Sequence, residues 1–257
     1  DTNLGNALLD LDKLDEALEA HSTAAKLNPS LAETQNNLGA VYETLARYEE
    51  AFECYSKAMS LDSNYATAVY NLAGIQLRMK NFAEGWSLRE ARWIKETNDG
   101  WKPYIQTSRP LWDGSNVERL YIWAEQGVGD EIMFASCFHD LLEKCNQLTV
   151  ACSPRLISLF SRSFDDRIRF VSAEDGLPDD QFDCHAPALT ATGLVRHEVE
   201  DFNSASQPYL HADPIWVQSV RDNLEQASGG KPIVGVSWMS TNTVSYTHLT
   251  LPTTTIV

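Results

Sequence analysis

The chain has 257 residues, 43% hydrophobic and 22% charged, enough apolar material for one large domain or two ordinary ones with real cores. Its 20 Lys and Arg face 36 Asp and Glu, a formal charge of −16, which argues against binding nucleic acid or an anionic membrane. No apolar run reaches the roughly 18 residues of a membrane span, and no basic-then-apolar leader opens the chain, so a cytoplasmic protein is expected. The cysteines (Cys54, Cys137, Cys145, Cys152, Cys184) are odd in number and form no C-x-x-C pair. They read as buried thiols in a reducing compartment, not as a zinc site or a disulfide framework.

The first stretch repeats itself. Asn3-Leu4-Gly5, Asn37-Leu38-Gly39 and Asn71-Leu72-Ala73 recur at a 34-residue step, as do Ala17, Ala51 and Gly85, and Ala24 and Ala58. Leu14, Ala17, Leu18, His21 and Ala24 fall at three- and four-residue steps, one face of a helix, and Asn28-Pro29 is a helix stop. Units of this kind bury their apolar faces only by stacking, and three units over 1–95 are about the minimum. Arg92 breaks the pattern where the other units carry Ala24 and Ala58, and Trp86 and Trp93 are bulky. The last helix is therefore expected to dock on whatever follows.

Period, small positions and breakers together resemble the tetratricopeptide repeat, which implies an α-solenoid of antiparallel helix pairs. Asn3, Asn37 and Asn71 share one repeat position on the first helix of each unit. Stacking would align them as a ladder, and an amide offers two donors and an acceptor to a peptide backbone. Similar ladders in tetratricopeptide glycosyltransferases imply a peptide or protein in the groove. An equal alternative is that these asparagines serve the fold alone.

Residues 96–118 read as a linker, with Asn98-Asp99-Gly100, Lys102-Pro103 and Arg109-Pro110 as breakers. Over 119–231 the pattern becomes α/β. The apolar run 120–124 predicts a strand, 125–130 a tight turn, and 130–144 a helix. A strand at 148–151, a helix at 156–163 and a strand at 168–171 follow, which argues for a parallel sheet with crossover helices. The acid-rich stretch 174–201 reads as solvated surface. Asp213-Pro214 opens a helix that Gly229-Gly230 ends, and 232–238 reads as a further strand.

In such a sheet, ligands sit beyond the carboxyl ends of strands. The loop Glu125, Gln126, Gly127, Val128, Gly129 and Asp130 lies there, with glycines that permit close backbone approach and a helix start that favours anions. Asp130 there is a candidate carboxylate base beside a substrate hydroxyl, although a helix cap is the commoner role for such a residue. The dinucleotide and P-loop fingerprints are both incomplete.

The block from Trp112-Asp113-Gly114 through Glu125 to Ala135, with Pro208-Tyr209-Leu210 and 234–238, resembles bacterial tetratricopeptide proteins with a heptosyltransferase-type (GT-B) glycosyltransferase domain. The resemblance implies that 119–231 is the Rossmann-like N-terminal half of that fold and that 232–243 begins a second lobe. It implies Asp130 as the catalytic carboxylate, with Glu125, Gln126, Gly127 and Gly129 as its ligand loop. A nucleotide-sugar would be the donor substrate, with no cofactor and no metal. Ser136-Cys137 stands where many members carry Arg-Tyr. The segment 244–257 resembles translated sequencing adapter. With Asp1 already inside a repeat, the chain reads as a fragment, inactive alone, of a transferase. The alternative function is a non-catalytic interaction scaffold with a ligand-binding α/β domain.

Overall fold

The computed structural model describes residues 2–93, 105–125, 127–206 and 208–232. Six helices come first: α1 (Thr2–Asp10), α2 (Leu14–Leu27), α3 (Ala32–Thr44), α4 (Tyr48–Leu61), α5 (Ala66–Arg78) and α6 (Phe82–Arg89). They pair as α1 with α2, α3 with α4, and α5 with α6, and neighbouring pairs stack. The small residues lie at the crossings. A Cβ on Gly39 would stand 2.8 Å from the Tyr55 ring, and one on Gly5 would enter the His21 ring. Ala17, Ala51 and Ala58 are fully buried. Each pair turns on a left-handed residue, Asp12, Ala46 or Lys80, with φ of 59°, 56° and 66°. The following amide bonds back across the turn each time, Lys13 to Leu8, Arg47 to Tyr42 and Asn81 to Gln76. This is the Schellman closure of a helix end, at the sequence's own 34-residue step.

The sheet is all parallel, in the order β3-β2-β1-β4, from β1 (Val117–Trp123), β2 (Cys145–Cys152), β3 (Ile168–Ser172) and β4 (Cys184–Pro187). The helices between them are α7 (Val128–Ala135), α8 (Phe138–Leu142), α9 (Pro154–Ser163) and, after β4, α10 (Ala188–Val195). Strand alternation splits β1 between two cores. Leu120 and Ile122 join the helix-covered face, while Tyr121 and Trp123 pack with Phe182, Ile105 and Leu177 on the other. The stack of repeats followed by a parallel Rossmann-like sheet is the architecture that the periodicities imply.

Two expectations need correction. The single helix over 130–144 is two: Arg196 Nη2 donates to the Ser136 carbonyl, and Cys137 Sγ to the Phe134 carbonyl, at the break between α7 and α8. The acid-rich stretch is not all surface. It contains β4 and α10, with Ala186 and Ala191 fully buried, and Asp183 tied to Arg119. Residues 2–211 belong to one compact unit. The second begins at Ala212 and contains α11 (Pro214–Ser228). Asp213 caps α11 by accepting from the amides of Ile215 and Trp216. The expected strand at 232–238 and the tail 244–257 lie, but for Pro232, outside the described residues, as does 96–104 of the linker.

Candidate functional site

The β1–α7 loop leads away from the sheet at its carboxyl edge. Gly127 caps α7, accepting from the amides of Asp130 and Glu131 at 2.9 and 3.1 Å, and no side chain caps this helix. Asp130 is therefore not the cap that its position suggested. Neither Gly127 nor Gly129 adopts a positive φ, so the turn itself does not require glycine. Around Gly129 the space that a Cβ would fill is open. Gln126 lies outside the described residues.

Successive residues of α7 face two cavities. Asp130 lines a cleft of about 380 Å³ between the repeats and the sheet domain, shared with Tyr70, Asn71, Arg78, Trp86 and Arg89. Glu131 lines a larger cavity of about 760 Å³ at the carboxyl ends of the strands, walled by Tyr121, Trp123, Ser153 and Phe182. Glu131 accepts the Ser153 amide at 2.7 Å, and burial pushes its carboxyl above the usual range. Sequence reading missed Glu131; its place next to Asp130 was the only available signal.

Glu125 also borders the larger cavity, but its carboxylate is engaged elsewhere. It takes a two-pronged contact from Arg92, Nε at 3.0 Å and Nη2 at 3.2 Å, and accepts the Leu189 amide at the start of α10. Both side chains are nearly inaccessible, 2% and 3% exposed. Arg92 also reaches Thr190 and Glu90. Burial raises the Glu125 carboxyl against the opposing pull of Arg92. Trp86 completes the junction by donating Nε1 to the Arg196 carbonyl at 2.8 Å. The repeat stack thus docks on the sheet domain through the residues that break the repeat pattern.

The asparagines do not form a simple ladder. Asn71 Nδ2 donates to Asn36 Oδ1 at 3.0 Å, and Asn36 Nδ2 to Asn37 Oδ1 at 3.3 Å. Asn36, which sequence reading passed over, is buried and links the two. Asn3 is exposed, and of the three only Asn71 borders the cleft that holds Asp130. The thiols of Cys137, Cys145, Cys152 and Cys184 are buried and pushed up to about 11 or 12 by desolvation, which keeps them protonated and inert. Among the described residues no helix is long and apolar enough to cross a membrane.

The class defined by this arrangement is a tetratricopeptide-repeat stack joined to a parallel-sheet α/β region, and such stacks present concave surfaces for protein–protein interaction. A TPR repeat model matches residues 5–45, and a tetratricopeptide repeat model matches 32–65. Over 184 residues the chain is 30% identical to Protein FlbA of Caulobacter vibrioides, covering 65% of this chain and 30% of that protein. The chain thus spans under a third of the relative's length. Among solved structures, the repeats are similar to the TPR2B domain of yeast Sti1 in complex with pHsp70, at 24% identity, covering 38% of this chain and 82% of that one, TM-score 0.36. They are also similar to the Sgt2 TPR domain from Aspergillus fumigatus, at 20% identity, covering 44% and 88%, TM-score 0.33.

Proposed function

We propose that the chain is the acceptor-holding part of a glycosyltransferase that moves a sugar from a nucleotide-sugar to a protein segment lying along the repeats. The observation that carries this reading is the shared cleft, where Asn71 of the repeat stack and Asp130 of the sheet domain line one space. A peptide gripped through its backbone by the Asn71 amide, which the Asn36 amide holds in place, would bring a side-chain hydroxyl to the Asp130 carboxylate. Asp130 then takes the hydroxyl proton as the oxygen bonds to the anomeric carbon and the bond to the nucleoside diphosphate breaks. The diphosphate leaves with the electron pair of that bond. Its contacts belong to a second lobe, and no metal or other cofactor is needed for the residues assigned here.

The test uses the complete protein with a panel of nucleotide-sugars and candidate peptides. Asp130→Asn keeps shape and hydrogen bonding but removes the proton acceptor. Transfer should fall by about 100-fold or more, the scale of general-base catalysis, with peptide affinity unchanged. Undiminished transfer would reject Asp130 as the base. The second reading, a non-catalytic scaffold, is favoured by Glu125, whose carboxylate is engaged by Arg92 and Leu189 instead of facing a ligand. Peptide binding by a complete protein that consumes no nucleotide-sugar would decide for it.

A further inference from the structure

The cleft holds a cation that the fold does not explain. Arg92, Arg119 and Arg196 each pair with a carboxylate, Glu125, Asp183 and Asp140 respectively. Arg89 pairs with none among the described residues. Its guanidinium carbon lies 3.8 Å from the centre of the Tyr70 ring, and among the described residues its buried Nε has no hydrogen-bond partner. Stacking on an aromatic face holds a guanidinium in place while its edge stays available to an acceptor. Arg78 lines the same cleft, half exposed; its guanidinium lies over the Tyr48 ring, 5.1 Å from the centre, and comes no nearer than 3.7 Å to Glu43, whose other oxygen accepts the Tyr55 hydroxyl. In a molecule of net charge −16, two weakly engaged cations beside Asp130 run against the overall field.

We propose that Arg89, with Arg78 as its outer neighbour, selects acceptor segments carrying an Asp or Glu close to the hydroxyl residue that Asp130 serves. The inference rests on the peptide reading above and adds a specificity determinant to it. A carboxylate matches the guanidinium fork, and the charge-assisted bonds form only with an acidic side chain. It also gives Arg89 the partner that Glu43, which lines the same cleft, does not supply, since that carboxylate faces Arg78 and the Tyr55 hydroxyl.

The experiment measures fluorescence anisotropy with the 257-residue chain and labelled extended peptides. Each carries one serine flanked by Glu, Gln or Lys. Acidic flanks should bind about tenfold tighter than neutral ones, a difference of one charge-assisted contact. Arg89→Gln should erase that preference and Arg78→Gln should reduce it. Arg89→Lys, which keeps the charge and loses the fork, should restore part of it. Melting curves of the variants verify that each is folded. Equal binding of acidic and neutral peptides, or a preference that survives Arg89→Gln, overturns the inference and leaves the peptide reading standing. No binding of any peptide overturns both. Arg89-dependent displacement of the acidic peptide by inorganic pyrophosphate at micromolar concentration would mark the cleft as a phosphate site, and would overturn it as well.

Discussion

Arg92 and Glu125 show how a residue that spoils one pattern can complete another. In a repeat, position 92 needs a small side chain so that helices can approach; here a guanidinium fills the space and reaches Glu125. Removing two charges from water is costly, so the pair holds only because nearly every lone pair and proton is used, by Thr190, Glu90 and the Leu189 amide as well. His21 is the opposite case. It is fully buried against Gly5, whose backbone only partly offsets the cost of burial, and among the described residues neither ring nitrogen has a well-formed hydrogen bond. Burial lowers its pKa below the ordinary value of about 6.5. Between the two values the unfolded chain takes up a proton that the folded chain refuses, so stability rises with pH in that window. It is complete above about 6.5 and declines as the solution is acidified through the unfolded value. The melting temperature should therefore drop between pH 7.5 and 5.5, and His21→Leu should flatten that part of the profile. A wild-type curve with no slope there would show that the ring finds a partner.

At the scale of elements, the three turns of the repeat pairs use one geometry with three different side chains. Asp tolerates the left-handed region better than most residues, but Ala46 does not, and its side chain is exposed, so nothing compensates. Ala46→Gly should stabilise the chain by about 1 kcal/mol, read as a higher denaturant midpoint at constant slope. A lower midpoint would mean that entropy gained by the unfolded chain outweighs the relieved strain. The repeat was legible because helix packing imposes small residues at fixed intervals, and a 34-residue step survives changes elsewhere. The first three strands were legible as apolar runs joined by helical stretches. β4 was not, because Cys184, His185, Ala186 and Pro187 show no alternation, and its Pro is tolerated at the end of a strand at the sheet edge. Its place is set from outside, by pairing with β1 and by Asp183 accepting the Arg119 amide. The cleft escaped for the same reason. Asn71 and Asp130 are far apart in the chain, and no local pattern predicts that α5 and α7 face one space. Glu125 looked like a ligand residue because burial leaves no mark on a short loop.

At the scale of the whole molecule, repeat stacks ordinarily unravel unit by unit, because each unit touches only its neighbours. Here the last unit is held to the sheet domain by Trp86 and Arg92, whose partners, Arg196, Glu125 and Thr190, lie on or beside β1 and α10. If the cleft is to keep Asn71 and Asp130 in register, that junction must be as durable as either part. Hydrogen exchange offers the measurement. In the wild type, the amides of Leu72 and Ile75 in the third unit and of Leu120 and Ile122 in β1 should open with the same free energy and the same denaturant slope. Glu125→Gln leaves the buried Arg92 charge without its counter-ion, a change that costs about 3–5 kcal/mol in comparable pairs. The third unit should then exchange ahead of β1, while Leu148 and Val150 of β2 keep most of their protection. Exchange that stays uniform in Glu125→Gln would move the coupling from the ion pair to the Trp86 contact. Exchange already split in the wild type would show that the two parts move independently, and a cleft that depends on their alignment could not act as a single site.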